Sequence, residues 1–393
     1  MPRTILHLDL DAFFCAVEEI HDPSLRGKAF AVGGRPEERG VVASCSYAAR
    51  RFGVRSAMPM SRALRLCPGL LIVHHSHGAY GEMSEQVMAR LNDLSPLVEQ
   101  ISIDEAFVDI SDLPQTPVEV ARAIQARVNR ELGLPCSVGV ASNKLVAKIA
   151  TEVGKKSAQK ESPPNAITVV PPGEEAAFLE PLPIDMLWGV GPKTAQKLAA
   201  YGIHTIGDLA HRPEADMVRW FGENGREMAE HARGMDHRPV STEHEVKSIS
   251  QEITFARDVR DDKLLADTLR AQSAQVGRQL RQSNLAGTTV KLKLRWPDFT
   301  TLSRQVTLAG PVDQDEEIYL TALELLKTVR APGKAVRLIG VGVSGLAAPV
   351  RQLELWGEDN EKARRLQTVL DQLRDRYGDK AIQRGERTRR GRG

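Results

Sequence analysis

Residues 4–14 read Thr4-Ile5-Leu6-His7-Leu8-Asp9-Leu10-Asp11-Ala12-Phe13-Phe14, and residues 102–106 read Ser102-Ile103-Asp104-Glu105-Ala106. The first stretch alternates and is rich in β-formers, which predicts a strand ending in carboxylates. The second sits within residues 98–110, which read as two strands around an acidic turn. Carboxylates at the ends of neighbouring strands can converge, and like charges gathered this way need cations to compensate them. Magnesium suits the role, because it takes hard oxygen ligands and leaves positions open for phosphate oxygens. Two such ions activate an attacking hydroxyl and stabilise a leaving pyrophosphate, so the spacing points to metal-dependent phosphoryl transfer. Surface acids or helix caps are the plainer alternative.

Outward from these strands, helical periodicity marks residues 12–20, 81–94, 117–132 and 143–153, with Val118, Ala121, Ile124 and Val128 on one face of the third. Short strands are expected at 29–32, 41–43 and 137–141, and short helices at 47–52 and 59–66. Residues 155–164, rich in Lys, Ser and Pro, read as a surface loop. This order predicts an α+β domain whose sheet is covered by helices. Residues 181–240 read as all-helical and open with Leu187-Trp188-Gly189-Val190-Gly191-Pro192-Lys193. Two glycines bracketing a tight turn before a helix make a helix-hairpin-helix pattern. Its N–H groups, at Gly189 and Gly191, can hold a DNA phosphate without reading sequence, with Lys193 beside them. A second, smaller α+β domain follows from residue 249, and in it residues 290–296 alternate. Lys291, Lys293 and Arg295 then share one face, suited to a phosphate backbone.

The chain has 393 residues, 41% apolar and 26% charged, as expected of a globular protein of several domains. Four scattered cysteines, with no C-x-x-C pair, argue against a zinc site or a disulfide framework and read as small buried hydrophobes. No apolar run is long enough for a membrane helix, so no membrane partner is expected and the cytoplasm is the expected location. The net charge is +2, but residues 384–393 alone carry +4, which reads as a nucleic-acid tether or a solvated terminus.

The two acidic stretches together resemble the catalytic motifs of Y-family DNA polymerases, most of all the bacterial DNA polymerase IV (DinB) branch. Residues 43–54, Ala-Ser-Cys-Ser-Tyr-Ala-Ala-Arg-Arg-Phe-Gly-Val, resemble that family's fingers motif, and residues 137–144 with Lys148-Ile149-Ala150 its late palm motif. The resemblance runs from residue 3 to about residue 356. It implies a right-hand polymerase: palm over 1–10 and 77–172, short fingers over 11–76, a helical thumb over 173–240, a linker over 241–248, a little finger over 249–347 and a tail over 348–393. Carried over by position, it implies that Asp9, Asp104 and Glu105, helped by the Leu10 carbonyl, hold two magnesium ions. Phe14 is implied as a steric gate against the 2′-hydroxyl, and Phe13 as a support beneath the sugar. Tyr47, Arg50 and Lys155 are implied to bind the incoming deoxynucleoside triphosphate. Asp11 is no metal ligand in the family and reads as structural.

Short fingers imply a loosely enclosed base pair, hence low fidelity and translesion synthesis on a primed DNA template. No stretch resembles a proofreading exonuclease. The sequence departs from the family pattern after Lys155, where the loop is longer. His74, His75 and His77 read as a solvated loop rather than a metal site, and Gly33-Gly34 as a turn. Gln352-Leu353-Glu354-Leu355-Trp356 resembles the peptide by which bacterial polymerases dock on the sliding clamp, the β clamp: Gln352, Leu353, Leu355 and Trp356 would fill its groove. An amphipathic helix is expected over 360–377, packed on the body or on a partner. A monomer is the default. A non-catalytic accessory protein of the same family would have lost the acids, which are all present; a nucleotidyl cyclase would need neither hairpin nor clamp peptide.

Overall fold

The computed structural model describes residues 3–74, 77–157, 162–243, 245–349 and 358–378. The chain divides into two compact units, residues 1–244 and 245–393.

The first unit opens with β1 (Ile5–Leu10) and α1 (Phe13–His21), joined through Ala12 at a left-handed φ of 48°. Then come β2 (Phe30–Gly33), β3 (Val42–Cys45), α2 (Tyr47–Arg51), α3 (Met60–Leu66) and β4 (Leu71–Val73). The three strands form a small sheet in the order β3-β2-β4; β4 had no counterpart in the sequence reading. Next are α4 (His77–Leu94), β5 (Val98–Gln100), β6 (Glu105–Asp109), α5 (Pro117–Leu132), β7 (Cys136–Ala141), α6 (Lys144–Ser157) and β8 (Ile167–Val169). The limits of α5 are written in its ends: Thr116 and Glu119 form a capping box, Pro117 opens the first turn, and Gly133 leaves at a φ of 69°.

The central sheet has the order β5-β6-β1-β7-β8. β1 lies antiparallel between β6 and β7, with Asp9 opposite Glu105 on one side and Ser137 on the other. Alternation then divides the side chains. Leu6, Leu8 and Leu10 share a core with Val120, Ile124 and Val128 of α5. His7, Asp9 and Glu105 take the opposite face, where α6 lies. A Cβ on Gly139 would come 2.1 Å from the Ala147 carbonyl oxygen, so only glycine lets α6 rest directly on β7.

Here one expectation is corrected. The helix does not stop at residue 153 but continues to Ser157, so Lys155 stands on its last turn rather than in a loop. The added turn brings the lysine against Asp9 and Asp11, and those ion pairs favour helix over loop.

Among the described residues five α-helices follow: α7 (Glu175–Leu179), α8 (Pro192–Ala199), α9 (Ile206–Ala210), α10 (Glu214–Phe221) and α11 (Glu223–Ala232). Leu179, Leu198, Ile206 and Met217 share a core with Leu145 and Ile149 of α6. Asp236 seals the join: its carboxylate accepts from the Leu145 amide at 3.1 Å and from Arg238, and its carbonyl accepts from Arg3 at 3.0 Å.

The second unit contains β9 (Ser248–Val259), α12 (Asp262–Gln282), β10 (Ala286–Arg295), β11 (Thr301–Val312), α13 (Asp315–Val329), β12 (Val336–Ala347) and α14 (Glu358–Tyr377). Its antiparallel sheet has the order β11-β10-β12-β9. Val290, Leu292 and Leu294 pack with Leu265, Leu269 and Ile318 of the two covering helices. α14 docks on this unit with Leu370 and Leu373 of its apolar stripe half-buried and polar groups supplying the specific contacts. Gln367 donates to Asp315 at 3.0 Å and Arg281 to Asp371 at 2.7 Å, while Leu366, Val369 and Tyr377 are exposed. The part-buried Arg281 guanidinium requires carboxylate partners, and meeting that requirement sets the rotation of the helix.

All four cysteines are buried and free. His74 is exposed; His75 and the side chain of His77 lie outside the described residues, as do the clamp-like peptide 352–356 and the basic end.

Candidate active site

A cleft of about 230 Å³ is lined by Asp9, Leu10, Phe13, Phe14, Tyr47, Arg50, Asp104 and Lys155, with Ala43, Ser44 and Ser56 beside them. The strand register explains the gathering of the acids. The Leu10 amide donates to the Asp104 carbonyl at 2.9 Å, which continues the β1–β6 ladder into the acidic turn. Asp9 and Asp104 thereby line one cleft. Glu105, opposite Asp9, turns instead toward His7 and Lys148. Among the described residues no three acidic, histidine or cysteine side chains are gathered as a ready-made metal site. Lysines hold the charge instead: Lys155 pairs with Asp9 and lies 3.8 Å from Asp11, while Lys148 pairs with Glu105. The donor set is all oxygen, and cationic groups already sit on two of its carboxylates, which is the chemistry a hard divalent cation requires.

Titration follows from these neighbours. Burial pushes Asp9 up to about 6, against the pull of Lys155 and with the Asp104 charge adding to the rise. Burial pushes Glu105 up too, but His7 and Lys148 more than offset it and hold the carboxyl down to about 2. Burial lowers His7 to about 4, so its imidazole is neutral near pH 7. It sits with Nδ1 2.9 Å from the Thr151 hydroxyl and Nε2 3.3 Å from Glu105 Oε2.

Asp11 stands apart from this chemistry. It is 1% exposed and accepts from the Ser137 hydroxyl at 3.0 Å and from the Asn165 amide at 3.0 Å. Asn165 in turn accepts from the Cys136 amide at 3.2 Å. Asp11 thus fastens the chain that returns after α6 to the end of β1.

On the other wall of the cleft, the Arg50 guanidinium lies 4.6 Å from the Tyr47 ring centroid, and its Nε donates to the Cys45 carbonyl at 3.2 Å. Burial, with Asp11 and Asp9 nearby, pushes the Tyr47 phenol up, so it stays a neutral donor. Phe14 stacks on Tyr80 with ring centroids 4.5 Å apart, and the Tyr80 hydroxyl donates to Glu18 at 2.5 Å. Phe13 is more deeply placed, 3% exposed, with its ring 5.7 Å from Phe14.

The hairpin places Gly189 at a φ of +95°, a conformation reserved for glycine, and Gly191 at the start of α8 with no side chain capping it. Lys193 is exposed, whereas Lys197 is drawn back to the Trp220 carbonyl at 2.8 Å and the Phe221 ring. In the second unit Lys291, Lys293 and Arg295 alternate with buried Val290, Leu292 and Leu294, as expected. Gly342 and Gly340 of β12 stand opposite the two lysines. Lys293 also pairs with Glu252 at 2.6 Å.

Residues given no role by the sequence reading now have positions: His7, Thr151 and Lys148 around Glu105, Tyr80 behind Phe14, and Ser56 at the cleft. The lysines had a legible signal, because Lys144, Lys148 and Lys155 fall on one helix face. Tyr80 had none, since its contact with Phe14 is purely tertiary.

Residues 8–152 match the impB/mucB/samB family, residues 246–355 its C-terminal domain and residues 172–203 the IMS family HHH motif. The chain is 40% identical over 389 residues to the DNA polymerase IV of Dehalococcoides mccartyi, covering 98% of this chain and 97% of that one. It is 45% identical over 350 residues to the DNA polymerase IV of Streptomyces coelicolor, covering 88% and 71% respectively. Among solved structures, a Y-family DNA polymerase chimera, Dbh-Dpo4(243-245)-Dbh, matches with a TM-score of 0.77 at 26% identity, covering 87% of this chain and 98% of that one. Fold and comparisons together define a Y-family right-hand polymerase with palm, short fingers, helical thumb and little finger. Within that class the chain belongs to the DNA polymerase IV family, and it is a DNA-directed DNA polymerase of the translesion type.

Proposed function

We propose that Asp9, Asp104 and Glu105, with the Leu10 carbonyl, hold two magnesium ions during template-directed addition of deoxynucleotides to a primer. The observation that carries this reading is the single cleft in which Asp9 and Asp104 meet Tyr47, Arg50 and Lys155. Enzymes of this family are metal-dependent. The bound ions would activate the primer hydroxyl and stabilise the leaving pyrophosphate.

The rest is work for the chain itself. Arg50, braced on Tyr47, offers a forked donor to the triphosphate, and Lys155 a point charge. Their shared cleft favours the assignment of Lys155 despite the longer loop beyond it. Phe14, backed by Tyr80, fills the space a 2′-hydroxyl would need, and Phe13 stacks beneath the sugar. Gly189, Gly191 and Lys193 grip a DNA phosphate, and Lys291, Lys293 and Arg295 lie along the backbone. DNA and nucleotide as joint ligands fit a relative solved as an insertion ternary complex. We assign the palm to 1–10 and 77–172, the fingers to 11–76, the thumb to 173–240, the linker to 241–248, the little finger to 249–347 and the tail to 348–393. Gln352, Leu353, Leu355 and Trp356 dock on the sliding clamp, and the enzyme works as a monomer in the cytoplasm. No helix among the described residues is long and apolar enough to cross a membrane.

The test is primer extension with magnesium and each nucleotide in turn, comparing the native chain with Asp104→Ala. The variant should bind primed DNA as the native chain does and add no nucleotide. Retained synthesis overturns the two-metal assignment.

A further inference from the structure

α6 carries a ladder of lysines across the catalytic sheet. Lys144 donates to Glu99 of β5 at 2.8 Å, Lys148 pairs with Glu105 of β6, and Lys155 pairs with Asp9 of β1. The order along the helix matches the strand order β5-β6-β1, so each strand's acid meets its own cation. The outer two have clear occupations: Lys144 is part of a buried joint, since Glu99 also accepts from the Ser241 amide at 2.8 Å, and Lys155 lines the nucleotide cleft.

Lys148 has two neighbours of different kinds. One is Glu105. The other is the ring of Trp188, whose centroid is 5.6 Å from Lys148 Nζ and which also faces the Arg238 guanidinium at 4.8 Å. Trp188 immediately precedes Gly189 of the hairpin and rests on Phe107 of β6, with centroids 5.9 Å apart. The ammonium is therefore held between the Glu105 carboxylate and the residue that opens the hairpin turn. Its contact with the ring is favourable where water is partly excluded, and both Lys148 and Glu105 are under one-fifth exposed.

We propose that Lys148 is a positioning residue for Glu105. It occupies the carboxylate until a divalent cation arrives, keeps it aimed from the sheet, and is itself held in place by Trp188. This rests on the reading of Glu105 as a metal ligand. Two consequences are opposite in sign. Removing the ammonium removes a competitor of the metal, so cation affinity rises. It also removes the support of the carboxylate, so turnover falls.

The experiment measures Ca2+ binding by calorimetry on the full chain bound to primed DNA, and separately the Mg2+ dependence of single-nucleotide insertion. Lys148→Met should bind Ca2+ about tenfold tighter, the scale on which partners of metal ligands act, and reach half-maximal rate at lower Mg2+ with a kcat about tenfold lower. Lys148→Arg should restore kcat. Trp188→Leu leaves both charged groups in place and should shift Ca2+ affinity in the same direction by a smaller factor. It also stands in should Lys148→Met fail to fold. Native Ca2+ affinity in both Lys148→Met and Trp188→Leu overturns the proposal, as does a lost kcat that Lys148→Arg does not recover. Glu105→Gln separates the two readings: if it keeps native Ca2+ binding and native synthesis, the assignment of Glu105 as a ligand fails first.

Discussion

At the scale of single residues, the acids divide by where the strand ends rather than by type, since β1 stops at Leu10. Asp9 and Asp11 are two positions apart, yet one lines the cleft and the other is a buried fastening for Ser137 and Asn165. Phe14 gains its place from a tertiary partner, because the Tyr80 ring stacked behind it prevents retreat. Phe14→Ala should therefore admit ribonucleotides, with discrimination against them falling at least about tenfold, the range of one well-placed steric contact. Competition between ribo- and deoxynucleotide insertion checks this, and unchanged selectivity refutes the gate.

At the scale of elements, α6 matters most, since it delivers Lys144, Lys148, Thr151 and Lys155 to one sheet face. Its closeness depends on Gly139. Gly139→Ala would set a methyl against the Ala147 carbonyl and the Thr151 amide, and neither backbone group can move without moving the helix. A loss of about 1–3 kcal/mol is expected from such overpacking, together with reduced synthesis. A denaturant melt and a primer-extension assay report the two effects. In the thumb, burial with Arg238 nearby lowers the pKa of His231 on α11. As pH falls below about 6.5 the unfolded chain takes up this proton first, so stability falls with it. His231→Gln should flatten that part of the melting-temperature profile between pH 6.5 and 5. A profile parallel to the native one would exclude the assignment.

At the scale of the whole molecule, the DNA contacts we propose are drawn from separate places in the chain: a hairpin near residue 190 and a basic sheet face near residue 293. Neither element carries the chemistry. The clamp-like peptide follows the last strand of the second unit in the sequence. Replacing Leu355 and Trp356 with alanine should abolish stimulation by the clamp and spare basal extension. Equal loss of both activities would indicate a folding role.

The placing of the acids at strand ends, the paired phenylalanines, the hairpin and the alternating basic strand were legible in the sequence, because each is a local pattern: strand alternation, a glycine-bracketed turn, adjacent aromatics. The order of elements in the second unit was legible for the same reason. Tertiary structure alone decided the rest. Lys155 sits on a helix because Asp9 and Asp11 lie within its reach, and no local propensity records that. α14 turns polar groups inward because Arg281 waits there with its carboxylates. Glu105 faces His7 and Lys148 because the β1–β6 register and the seat of α6 on the sheet place both beside it. Such choices depend on partners far apart in the chain, and charge pairing across the packed sheet, not the local pattern, selects among them.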